Sequence, residues 1–135
     1  MSRFTQLTTQ LSAALLTGMM SMLAAAATPE QLLDGYRNQA GRAPQAAQGQ
    51  TFFLTQHGGQ WSCASCHGSR PSDEGKHAST GKLIRPLAPA ANAQRFTDPQ
   101  KVEKWFKRNC KDVLERECTA AEKADVLAWL LTVQP

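Results

Sequence analysis

Three observations predict an all-α domain. Apolar residues recur at helical spacing in separate stretches, these stretches are punctuated by Gly, Pro and N-capping residues, and no alternating run is long enough for a useful strand. Ahead of the domain, Arg3 makes a positive start, Leu11 to Leu23 is largely apolar, and Ala24 to Ala27 offers small-residue cleavage positions. That is the layout of a secretory signal peptide, cut after Ala26 or Ala27. Thr17, Gly18, Ser21 and the shortness of the run argue against a retained spanning helix. Residues 1–27 are read as a cleaved signal, and residues 28–135 as one small exported domain, placed in the periplasm.

Thr28-Pro29 opens the first helix of that domain, with Thr28 as N-cap and Pro29 at the first position. Leu32, Leu33 and Tyr36 continue an apolar face until Gly41, and the segment to Pro44 breaks it. A second helix is expected from about Gln45 to Gln56, carrying Gly49, Phe52 and Phe53 and ending at Gly58-Gly59. From Gly68 to Ala93 the chain is rich in Gly, Pro and Ser, with small apolar stretches at Leu83-Ile84 and Leu87, so it reads as loops. Thr97-Asp98-Pro99 opens a third helix through Cys110, where Val102, Trp105, Phe106 and Asn109 follow an i, i+3, i+4, i+7 stripe. Thr119 to Glu122 is a capping box, and the last helix continues through Val126, Leu127, Trp129, Leu130 and Val133.

The motif that carries chemistry is Cys63-Ala64-Ser65-Cys66-His67, the spacing of covalent c-type haem attachment. Each thiol can add to one haem vinyl group, and the adjacent His67 becomes the proximal iron ligand. One motif implies one haem c per chain. A thioredoxin-like site would need a strand before it, whereas Gly58 to Ser62 reads as a loop. A four-cysteine zinc site would give His67 no role, and Cys110 and Cys118 lack the usual short gap. Those two cysteines, stranded in an oxidising compartment, are expected to form a disulfide. Continuous helix would hold their Cα atoms about 12 Å apart, so the chain must fold back between them.

All methionines, Met1, Met19, Met20 and Met22, lie within the expected signal, so none remains to be the usual second axial ligand. The other candidates for that side are His57, His77, a lysine, Asn109, or no protein group. His77 lies only ten residues after His67, in a segment that must first escape the proximal face, and is expected in a solvated loop; His57 is expected to be structural or exposed. Asn109 lies on an apolar stripe, where an unpartnered amide costs about 1 to 3 kcal/mol. Ligation and a core amide bonded to backbone carbonyls explain it equally well.

Of the 15 basic and 11 acidic residues, Arg3 leaves with the signal, and the 14 basic residues that remain are nearly balanced once two haem propionates are counted. No Lys/Arg block supports a nucleic-acid partner. The cluster of Lys101, Lys104, Lys107, Arg108 and Lys111 suits either a solvated helix face or a surface steering an acidic redox partner.

The runs Arg108-Asn109-Cys110 and Cys118-Thr119 join Glu122-Lys123-Ala124-Asp125, Ala128-Trp129-Leu130, Pro86-Leu87-Ala88-Pro89 and Arg95-Phe96-Thr97-Asp98 in one pattern. Together these closely resemble the oxygen-binding class I cytochromes c known as sphaeroides haem protein, over nearly the whole span from Gln31 to Leu131. The resemblance implies the class I cytochrome c fold with one additional short N-terminal helix. It also implies His67 as proximal ligand, Asn109 as distal ligand to ferric iron, and the Cys110–Cys118 disulfide. A proline carbonyl, Pro86, would hold the free ring nitrogen of His67.

An amide oxygen is a hard, weak donor suited to ferric iron and poorly matched to ferrous iron. On reduction Asn109 should let go, leaving iron able to bind O2, NO or CO. The resemblance further implies dihaem c-type and membrane b-type cytochromes as electron partners, and leaves room for haem-based redox chemistry on O2 or NO. The alternative is a simple electron-transfer cytochrome without physiological gas binding.

Overall fold

Residues 26–135 are described by a computed structural model; the expected signal peptide, apart from Ala26 and Ala27, lies outside the described residues. Helix α1, Pro29–Ala40, starts with a reciprocal capping box between Thr28 and Gln31 and ends at Gly41, whose φ of 66° suits a residue without a side chain. Helix α2, Ala46–Leu54, stops two residues short of the expected end. Its N-cap, Gln45, makes no side-chain capping bond, its Oε1 accepting instead from Gln48 Nε2 at 2.8 Å. Asp125, far along the chain, accepts the Gln45 backbone N–H at 2.7 Å and both Arg42 amino groups at 3.0 and 2.6 Å. Asp125 is buried, and these charge-assisted bonds are what make its burial tolerable.

Beyond α2 come the short helix α3, Ala64–His67, and a segment read from sequence as loops. That segment contains an antiparallel pair, β1 at Gly75–Lys76 and β2 at Leu83–Ile84, with Gly75 opposite Ile84 and Lys76 opposite Leu83. Two residues per strand is too short to register as an alternating pattern. Helix α4, Pro99–Leu114, runs a turn further than expected, and Glu115, at φ 59°, reverses the chain. Helix α5, Ala120–Leu130, begins with the expected capping box of Thr119 and Glu122.

The core is built where α2 crosses α5. Phe53, Leu127 and Leu130 are almost completely buried, and Tyr36, Phe96, Val102, Ala124, Val126 and Trp129 join them. Gly49 makes the crossing possible, because a Cβ there would run into the Asp125 carbonyl. Helix α1 lies against α5, so α5 is held on two sides. No comparable backbone approach joins α4 to another element among the described residues. Side chains hold α4 instead. Tyr36 donates to Glu103, Lys123 donates to the other Glu103 oxygen at 2.7 Å, and the Tyr36 and Phe106 rings meet edge to face at 5.8 Å. Among the described residues no helix is long and apolar enough to cross a membrane.

Candidate functional site

Local sequence dictates the α3 turn. Ser62 and Ser65 cap each other, the Ser62 N–H donating to Ser65 Oγ at 2.9 Å and the Ser65 N–H to Ser62 Oγ at 3.2 Å. The His67 N–H then donates to the Cys63 carbonyl at 3.0 Å. One helical turn thus carries both thiols and the imidazole. Cys63 and Cys66 are unpaired and half-buried. Burial pushes the Cys63 thiol up to about 11. Burial, with the Arg95 charge adding to it, pushes His67 down to about 4, so its ring is neutral at pH 7 with a nitrogen lone pair available. The Phe53 ring, centred 6.2 Å from the His67 ring, ties the motif to the core.

The hairpin β1–β2 closes over this turn. Gly75 is buried, and a Cβ there would collide with the Cys66 carbonyl and the His67 Cα. The Ala78 N–H donates to Cys66 Sγ at 3.3 Å. On the following loop, Leu87 and Ala88 both donate backbone N–H groups to the Pro71 carbonyl, at 2.8 and 2.9 Å. Sequence reasoning missed Gly75 and the framing role of Arg95. A glycine in a glycine-rich loop gives no signal of what lies beneath it.

The expectation that Pro86 holds His67 is not met. The Pro86 carbonyl accepts Arg95 Nε at 2.8 Å and Asn92 Nδ2 at 3.2 Å, which uses both oxygen lone pairs. His57, expected to be structural or exposed, is half-buried, with Nε2 2.8 Å from the Phe52 carbonyl at the end of α2. His77, whose expected place was a solvated loop, sits in the hairpin turn, where Nδ1 accepts the Thr80 N–H at 3.3 Å.

On α4 the structure corrects the expected stripe. Trp105 is 46% exposed, and the buried face consists of Val102, Cys110 and Val113 with Phe106 half-buried beside them. Asn109 flanks that face, half-buried, and its amide makes no hydrogen bond to any described residue. The reading of Asn109 as an amide bonded to backbone carbonyls therefore finds no partner. Cys110, the next residue, is joined to Cys118 across a Cα separation of 5.5 Å. That bond removes the second pair of thiols from any four-cysteine zinc site.

The donor set fits haem c. Two half-buried thiols stand one turn apart, a neutral imidazole follows, and Cys63, Leu87 and Phe106 all border one apolar cluster. Comparison with known proteins agrees. A family described as a domain of unknown function, DUF1924, matches residues 39–130. The cytochrome c-type protein SHP of Cereibacter sphaeroides is 49% identical over 112 residues, 80% of this chain and 86% of SHP. Cytochrome c'' of Methylophilus methylotrophus is 46% identical over 94 residues, 67% of this chain and 65% of that protein. Among solved structures, oxidized SHP, an oxygen-binding cytochrome c, superposes with a TM-score of 0.74 at 46% identity, covering 78% of this chain and 96% of SHP. Oxidized cytochrome c'' superposes at 0.71 with 41% identity, covering 79% and 95%. A solution structure of cytochrome c'', concerned with haem-ligand detachment, superposes at 0.69 with 40% identity, covering 77% and 92%.

Proposed function

The chain belongs to the DUF1924 family and to the c-type cytochromes represented by SHP and cytochrome c'', and from that membership we propose a periplasmic monohaem cytochrome that binds a diatomic gas. In the proposal, His67 and Asn109 would hold ferric iron, with Asn109 the weaker donor that reduction would release. Haem c is the cofactor, one per Cys-x-x-Cys-His motif. When bound it would supply a redox-active iron able to take a further ligand.

Cys63 and Cys66 would hold the group covalently, and the neutral His67 ring would ligate the iron. Asn109 would offer a neutral oxygen donor that suits the harder ferric ion. Val102 and Phe106, on the same side of α4, keep its flank apolar. The observation that carries the reading is the placement of Asn109, half-buried beside Phe106 on α4, its amide bonded to no described residue and open at the surface, next to a disulfide on its C-terminal side. SHP is described as oxygen binding, and a structure of cytochrome c'' addresses haem-ligand detachment; both support gas binding coupled to ligand release. Dihaem c-type and membrane b-type cytochromes are the proposed electron donors, and O2, NO or CO the ligand.

The test is the haem spectrum of the ferric and ferrous protein. Asn109→Ala should keep covalent haem, turn the ferric form high-spin, and leave rapid CO binding to the ferrous form intact. His77→Ala should change none of these. A distal ligand lost in His77→Ala but kept in Asn109→Ala would overturn the assignment. A ferrous form that stays six-coordinate and refuses CO would make the protein a simple electron carrier.

A further inference from the structure

The outward face of α4 carries a concentration of positive charge that the site does not use. Lys101, Lys104, Trp105, Arg108 and Lys111 fall at i, i+3, i+4, i+7 and i+10 and are all exposed, a stripe about 15 Å long by the rise of a helix. Among the described residues, the ion pair that involves this face is Lys107 with Glu117, at 3.1 Å. Lys101, Lys104, Arg108 and Lys111 face no carboxylate at that range. Of the helix's two acids, Glu103 is engaged by Tyr36 and Lys123, and Asp112, i+4 from Arg108, is the one carboxylate on the stripe, one residue beyond Lys111 and in no ion pair with it or with Arg108.

At the centre of the stripe is Trp105, 46% exposed, with the Arg108 guanidinium 5.6 Å from its ring centroid. An indole left in water beside unpaired cations is the composition of an interface centre, where Trp and Arg carry much of the binding energy. An apolar centre with a basic rim calls for an apolar patch with an acidic rim. A membrane-surface helix would instead need apolar residues along its whole outer face, and this face has one tryptophan.

We propose that the exposed face of α4, centred on Trp105 and rimmed by Lys101, Lys104, Arg108 and Lys111, docks an acidic redox protein. The proposal rests on the reading that a protein partner delivers electrons. It adds that the partner seats on the helix that carries Asn109, one turn from Trp105, so docking and distal coordination share one element.

The test uses the haem-loaded ferric protein and reduced flavodoxin, an acidic one-electron carrier, with reduction followed by stopped flow at low and high ionic strength. The double variant Lys104→Glu, Arg108→Glu should lower the bimolecular rate about tenfold at low salt, and the difference should vanish at high salt. Trp105→Ala should lower the rate at both. Lys82→Glu, an exposed cation on the hairpin, should leave it unchanged. Unaltered melting curves identify the variants as folded. Rates for the α4 variants within twofold of the parent, slowing confined to Lys82→Glu, or binding to phosphatidylglycerol vesicles in preference to flavodoxin would overturn the proposal. An unexpected ferric ligand with the predicted salt dependence intact counts against Asn109 alone and leaves the docking face standing.

Discussion

The α2–α5 crossing and helix α4 are held by opposite means. In the crossing, backbones meet at Gly49 and Asp125, and the Phe53 ring packs against Trp129 at a tilt of 56° with ring centroids 5.0 Å apart. Helix α4 instead stands on a few side chains near its first half, Glu103, Phe106 and Val102, and on one disulfide near its end. His67 is tied to the first region through Phe53, and Asn109 sits between the two anchors of the second. A close-packed crossing has essentially one arrangement, whereas α4, with the buried Val102, Cys110 and Val113 along one face, meets its neighbours through side chains and leaves more room for adjustment. In the proposed coordination the permanent ligand, His67, would be tied to the first and the displaceable one, Asn109, to the second.

Overpacking the crossing should give the largest effect. Gly49→Val puts branched carbon against the Asp125 carbonyl and should cost about 3 kcal/mol or more, read from denaturant unfolding of the haem-loaded protein. A stability loss below about 1 kcal/mol would show that the crossing is adjustable too, and the comparison would fail.

Cutting the disulfide comes next. The loop between Cys110 and Cys118 is short, and its closure is worth roughly 2 to 3 kcal/mol. Reducing it should change CO association with the ferrous protein by a larger factor than the same loss of stability produced in the α2–α5 core. Mass spectrometry of the unreduced, alkylated protein should find neither thiol modified.

A smaller effect is expected at the other anchor. Tyr36→Phe removes the hydrogen bond to Glu103 and should cost about 1 kcal/mol. It should also shift the ferric spin-state balance, because α4 loses a tether. Unchanged ferric spectra would confine Tyr36 to stability.

The smallest effect is acid sensitivity. Burial works to raise the Glu103 carboxyl, but the hydrogen bonds from Lys123 and Tyr36 and the Lys123 charge overcome it and leave the group below its ordinary value. For Glu122, the bond from Arg116 leads the lowering. A carboxylate depressed on folding contributes stability that is present above its unfolded pKa, about 4.3, and lost as pH falls through the lower folded value. The urea midpoint should therefore drop in that acid window, and less steeply in Glu103→Gln.

What the sequence by itself determined is local. Thr28, Gly41, Asp98 and Thr119 mark helix ends because capping is settled within one turn, and the predicted starts of α1, α4 and α5 match the structure. The Cys63 to His67 motif is legible for the same reason, since one turn of chain holds the chemistry, and four cysteines divide into two pairs by spacing. Only the tertiary structure decided which distant groups meet. Asp125 caps α2 from the far end of the chain, Gly75 lies beneath the hairpin against Cys66, Arg95 and Asn92 take the Pro86 carbonyl that seemed meant for His67, and Trp105 turns outward from a stripe that seemed to bury it. Helical spacing states which residues share a face but not how wide the buried part of that face is. A hydrogen-bond acceptor goes to whichever donor the packed chain brings within reach, and that depends on how the whole chain packs.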